Sequence, residues 1–141
     1  MGSSFTSKPV RLRLSRAKGF DLQLHSRSFN GLDAVNVARP SLFGNPFKVS
    51  ARHDRAYVVH LFSQMACCWD CLIPDPSPQE QAKARLAIFR NIGSLTGKNL
   101  ACWCALDGKP CHADVLLNIA NDPEQLVSRQ RFATRCEEVS P

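Results

Sequence analysis

The sequence has no apolar run near the roughly 18 residues that a membrane-crossing helix requires, so no transmembrane segment is expected. No apolar leader core precedes the cysteines, and no internal repeat points to a solenoid or propeller. Acidic residues are scarce early: residues 1–55 carry ten Lys or Arg against three Asp, and the whole chain carries a net +6. That imbalance favours an anionic partner: a phosphorylated small molecule, nucleic acid or acidic lipid. A paired disulfide framework is also missing, since the seven cysteines are odd in number and clustered instead of spread through loops. The expectation is an intracellular, reducing compartment, with cysteines that are buried, metal-bound or reactive.

What remains is enough for one domain: 141 residues with 44% apolar content can bury a single core. The expected layout is a flexible segment over residues 1–9, an α/β domain over 10–121, and a C-terminal helix and tail over 122–141. The opening MGSSFTSK fits a loose myristoylation pattern at Gly2, with Thr6 in place and basic residues following.

Val10, Leu12 and Leu14 alternate with Arg11, Arg13 and Ser15, the period of a strand with one buried and one basic face. Residues 16–33 read as loop, and Val35–Val37 as a short strand ended by the turn-rich ARPSLFGNPF. A helix capped by His53 or Asp54 places Val58, Leu61, Phe62, Met65, Trp69 and Leu72 on one face. Ser77-Pro78-Gln79-Glu80 starts a second helix, which Gly93 closes. LACWC is a strand covered on both faces, as in a parallel sheet. Helices then follow over about 111–120 and from Asp122 to about Arg135, the last with Arg129, Arg131 and Arg135 exposed. This order predicts an α/β fold: a small, mostly parallel sheet with helices packed on it. Ligands in such sheets bind outside the carboxyl ends of the strands, where ARPSLFGNPF and ALDGKPCH both fall.

In an extended strand Cys102 and Cys104 share a face, about 6.6 Å apart at Cα. Cys111 could return as a third metal ligand and His112 as a fourth, with zinc the ion that suits them. The spacing C-x-C-x6-C-H departs from the usual zinc knuckle, and adjacent Cys and His side chains diverge. Alternatively, Cys111 and His112 open a helix, where the dipole lowers a thiol pKa or binds a phosphate alongside Lys109. Cys111, His112 and Asp114 are then catalytic candidates, with Asp114 either orienting the imidazole or complementing the helix dipole. Burial as small apolar residues is the third reading for these cysteines. CCWDC, residues 67–71, reads as packing. In the GNPF segment Gly44 permits close backbone approach, Asn45 offers a donor and an acceptor, and Arg39 can hold a phosphate. Arg16 joins them as a candidate anion ligand. A structural turn with Phe43 and Phe47 in the core is the competing reading.

RLRLSRAKGF, VNVARPSLFGNPF and GKNLACWCALDGKPCHADVLLNIAN occur in the order that resembles a phage and bacterial family, domain of unknown function 4326. The resemblance covers about residues 11–121. It marks Arg16, Arg39, Gly44, Asn45, Pro46, Cys102, Cys104, Cys111, His112 and Asp114 as motif positions. It implies a compact α/β domain whose motif residues gather in one region, and no particular activity. The first nine residues, CCWDCLIPDPSP and the tail after Asn121 depart from its pattern.

Two functional classes follow. One is a pocket for a phosphorylated, nucleotide-like ligand, gripped by Arg16, Arg39, Gly44, Asn45 and Lys109, with chemistry or metal supplied by residues 102–114. The other is a basic accessory subunit of a large, RNA-containing assembly with structural or zinc-bound cysteines.

Overall fold

A computed structural model describes residues 8–67, 71, 73 and 75–139. The described elements run β1 (Arg11–Arg13), α1 (Leu22–Asn30), β2 (Ala34–Asn36), α2 (Arg55–Ala66) and α3 (Pro78–Asn91). A 3₁₀ turn over Ile92–Leu95 follows, then β3 (Asn99–Cys102), α4 (His112–Asn121) and α5 (Pro123–Val139). The fold is the expected small α/β type, about half helical, with every described strand pair parallel.

β3 is the middle strand, in the order β1-β3-β2, with Leu12 opposite Ala101 and Val35 opposite Leu100. A strand paired on both edges and covered on both faces has no polar outlet, which is why NLAC is buried throughout. Its chain neighbour α4 packs back on β3 and β1, α2 lies against α4, and α5 packs on α3, α4 and the 3₁₀ turn. The core they enclose holds Phe47, Phe62, Phe89, Leu100 and Leu116, each at most 2% exposed. Burying one such side chain contributes about 1.5–3 kcal/mol.

Helix starts follow their caps. Asp54 accepts from the Tyr57 amide and Ser77 from the Glu80 amide, and Pro78 occupies the first turn of α3. The structure corrects the loop reading of 16–33, because residues 22–30 form α1. Asp21 caps it through the Leu24 amide, and Gly31, at φ +80°, ends it by donating to the Arg27 carbonyl. Its apolar signal is faint because the one fully buried residue is Ser26, whose hydroxyl donates to the Leu32 carbonyl.

Other boundaries move as well. α2 ends at Ala66; Trp69 and Leu72, expected on its face, and Cys68 of CCWDC lie outside the described residues. Gly93 falls inside the 3₁₀ turn and does not close α3. α5 runs to Val139, beyond Arg135. Arg129 leaves the exposed basic side of α5: it donates to the Ala66 carbonyl at 3.0 Å and lies over the Phe89 ring. Gly2 and Thr6 lie outside the described residues. No helix among the described residues is long and apolar enough to cross a membrane.

Asn99 ties the sheet to α1. It is fully buried, its carbonyl oxygen accepts from the Val10 amide and Asn30, and its amide donates to Ser26 and Asn30. Replacing Asn99 by Ala strands those partners inside the core. A denaturant titration of the N99A variant is expected to show a loss of about 2 kcal/mol or more. The same change at exposed Asn91 is expected to move stability by under about 0.5 kcal/mol.

Candidate functional site

Parallel pairing sends the carboxyl ends of all three strands to one rim. From that rim β1 continues to Arg16, β2 to Arg39 and β3 to Cys104. The three extensions meet around a cavity of about 400 Å³, lined among others by Arg16, Arg39, Asn45, Arg55, Trp103, Cys102, Cys104 and His112. The turn of residues 39–47 and the cysteine-histidine stretch therefore share a mouth.

Cys102 closes β3, and its sulfur is 3.1 Å from that of Cys111, the residue capping α4. With Cys104 these sulfurs lie within 4.8 Å of one another, a group that is able to hold a metal ion and does not take in His112. Either sulfur can donate in the Cys102–Cys111 contact, and with Cys111 as the donor Cys102 accepts. That bond, followed by burial, pushes the Cys111 thiol up, and it holds Cys102 down at about 5. Burial, with the neighbouring Cys102 adding to it, raises Cys104. The helix-dipole argument had favoured Cys111 as the acidic thiol. With Cys102 as the acceptor, that place falls to Cys102 instead.

His112 is 8% exposed. One ring nitrogen, Nε2, lies 2.8 Å from the Val37 carbonyl, which can only accept, so Nε2 carries the proton. The other, Nδ1, is then an acceptor, and its partner is the Cys111 sulfur at 3.7 Å. Burial lowers the imidazole pKa, and the edge of the ring meets Phe62 at 5.5 Å. Asp114 is not hydrogen-bonded to His112: one oxygen accepts the Cys111 amide at 3.0 Å, the other accepts Arg11 Nε at 3.3 Å. Its carboxylate serves the helix start and a cation, the second of its two sequence-based readings.

Two arginines hold the loop between β3 and α4. Arg11 donates to the carbonyls of Ala105 and Lys109 besides Asp114, and its side chain is only 9% exposed. Arg55, from the first turn of α2, donates to the Pro110 and Lys109 carbonyls and reaches Asp107 at 3.5 Å. Neither was singled out in the sequence as a support for this loop. Sequence alternation places Arg11 on the basic face of the first strand and gives Arg55 no role.

The remaining candidates divide. Arg16 stacks its guanidinium over Trp103, 4.5 Å from the ring centroid. Among the described residues, neither Arg16 nor Arg39 has an acidic partner, the ion pairs being Arg11–Asp114, Arg27–Asp33 and Arg55–Asp107. Gly44 backs Arg39: a Cβ there would stand 2.6 Å from Arg39 Cγ and 3.0 Å from its Cα. The glycine thus admits the Arg39 backbone. Asn45 joins its loop to α2, donating to the Val58 carbonyl and accepting from the Phe47 amide, while Phe43 and Phe47 are buried. The exposed Lys109 touches the site only through its carbonyl and is not among the cavity's lining residues. Cys71 packs, its thiol donating to the Leu61 carbonyl. A larger hollow of about 550 Å³ lies between α4 and the start of α5. None of the clustered thiols lines it, and Asp122 and Arg129 on its wall are already hydrogen-bonded.

The family model described as Domain of unknown function (DUF4326) matches residues 22–122, and the chain belongs to that family. The match opens at the first residue of α1, so it includes Arg39 through Asn45 and all of 102–114, and leaves Arg11 and Arg16 before it. No curated protein and no solved structure matches the chain.

Removing the Arg11 strap tests how the thiol loop is held. In an Arg11→Ala variant, amide exchange over residues 103–111 is expected to accelerate about tenfold or more, as loss of charge-assisted bonds implies. Exchange in β3 should stay slow. Unchanged protection of the loop would show that Arg55 alone holds it.

Proposed function

We propose that the domain binds a phosphorylated, nucleotide-like ligand in the cavity between the Arg39 turn and the thiol loop. A zinc ion in the three-cysteine cluster completes the reading. The observation that carries it is the meeting of two cations without acidic partners, Arg16 and Arg39, with an indole and the thiol cluster around one cavity. Two guanidinium groups that no carboxylate neutralises favour an anion between them, and the planar fork of arginine matches phosphate in two-point contact. Trp103 supplies an aromatic face for a base or similar planar group. The volume of about 400 Å³ falls within the span of small-ligand sites.

The residue roles follow. Arg16 and Arg39 grip the phosphate, and Gly44 and Asn45 keep the Arg39 turn in register. Cys102, Cys104 and Cys111 are soft thiolate donors, which suit zinc over magnesium or calcium. A tetrahedral zinc with bonds of about 2.3 Å separates its sulfurs by about 3.8 Å. The Cys102–Cys111 pair at 3.1 Å opens by about 0.7 Å to receive it. The neutral imidazole of His112 is available as a hydrogen-bond or proton acceptor at the same wall. Asp114 acts through the helix start it caps. Lys109, facing solvent, has no part in the grip.

Calorimetry on the reduced protein tests the ligand class. A nucleoside monophosphate or diphosphate is expected to bind, and the parent nucleoside to bind weakly or not at all. Arg39→Ala should weaken phosphate binding about tenfold or more, the size of a lost charge-assisted pair. Raised salt should weaken it further. Equal binding of nucleoside and nucleotide, or no effect of Arg39→Ala, overturns the reading. Elemental analysis of the same preparation is expected to find zinc equimolar with the chain, and its removal by a chelator should lower the unfolding temperature.

A further inference from the structure

The three-sulfur group is asymmetric with respect to the cavity. Cys102 and Cys104 are among the cavity's lining residues, whereas Cys111 is fully buried behind them at the start of α4. His112 is among the lining residues too, but its position is already fixed. Nε2 is committed to the Val37 carbonyl at 2.8 Å, the ring edge is set against Phe62, and the imidazole lies outside the sulfur group. The bond to Val37 leaves Nδ1 as the ring's only possible metal donor, and that atom does not join the three sulfurs, which lie within 4.8 Å of one another. Among the described residues no other His, Cys, Asp or Glu joins the group.

We infer that Cys102, Cys104 and Cys111 hold a thiophilic divalent ion as its three protein ligands. In this arrangement the fourth coordination position opens into the arginine-lined cavity, and His112 stands beside it as a hydrogen-bond acceptor, not as a ligand. This deepens the proposed function and rests on its zinc assignment. It departs from the four-ligand set that the sequence spacing suggested. Three protein donors and one open position are the arrangement of catalytic zinc sites, whereas structural sites close all four. The group that fills the open position is an oxygen: that of water, or of the phosphate that Arg16 and Arg39 draw in. Once Cys111 binds the ion as a thiolate, the Nδ1 lone pair of His112 loses its S–H partner and is free to accept a hydrogen bond. The ion's contribution is to polarise whichever oxygen binds it.

Cobalt(II) as the bound ion makes the coordination readable. The reduced full chain loaded with cobalt is expected to show sulfur-to-metal charge transfer of three-thiolate intensity and the d–d bands of a four-coordinate ion. Inorganic pyrophosphate should shift the d–d bands and leave the charge-transfer intensity in place. His112→Gln should retain both features and lower cobalt affinity by no more than about 10–100-fold, the range of a residue outside the coordination shell.

X-ray absorption of the zinc-loaded wild-type protein gives an answer that needs no variant. Three sulfurs and one light atom without imidazole outer-shell scattering are expected. Imidazole scattering, or loss of the bands in a folded His112→Gln protein, would make His112 a ligand and close the site, leaving the zinc assignment standing. Bands that ignore pyrophosphate while calorimetry still records its binding would separate the ion from the ligand and overturn the open position. Failure to bind zinc or cobalt at all would overturn the zinc assignment itself.

Discussion

The parallel pairing of β3 with both of its neighbours is the constraint on which the site depends. Parallel strands share a direction, so the chain leaves all three at one rim, and three segments far apart in sequence must cross the same space. Antiparallel pairing of either outer strand would send Arg16 or Arg39 to the opposite end. The pairing is enforced by burial: β3 has no exposed residue and no free edge, so its backbone groups are met by β1 and β2 or go unmet inside the core. Asn99 adds a side-chain joint at its entrance, which holds β1, β3 and α1 in one register.

At the rim the architecture gives way to loops, and these are held by side chains in place of ladders. Arg11 and Arg55 approach the β3–α4 connection from two elements, and between them occupy the carbonyls of Ala105, Lys109 and Pro110. A connection pinned in this way keeps Cys104 and Cys111 within reach of Cys102, although only Cys102 belongs to the strand. Gly44 does the equivalent work in the facing turn, by omission of a side chain: the space a Cβ would fill is taken by Arg39. Each of these supports serves position. Arg16, the Arg39 guanidinium and the clustered sulfurs take no part in these supports.

The electrostatics of the site are divided in the same manner. Arg11 and Arg55 are paired with Asp114 and Asp107, while Arg16 and Arg39 have no acidic partner among the described residues. The imidazole is kept neutral by burial and the sulfurs polarise one another, so the positive potential belongs to the two arginines. The cavity thus has fixed cations on one side and soft donors on another.

The sequence by itself determined the elements with strong local signals. The alternation of Val10–Leu14, the Asp54 and Ser77 caps, the continuous apolar run of β3 and the prolines and glycine of 40–46 each act within a few residues. The α/β order and the shared rim follow from them. Helix α1 stayed hidden because its buried residue is a serine and its caps carry the signal, so periodicity found nothing to register. The four candidate ligands at 102, 104, 111 and 112 were legible as residue types, but which atoms face one another was not. Only the tertiary structure decided that Val37 claims the imidazole N–H, that Arg11 and Asp114 serve the loop, and that Lys109 does not line the cavity. Those outcomes depend on contacts spanning some 75 to 103 positions, between Val37 and His112 and between Arg11 and Asp114. Local propensity carries no information at that range, because hydrogen bonds and burial are settled by whichever segments the sheet brings together.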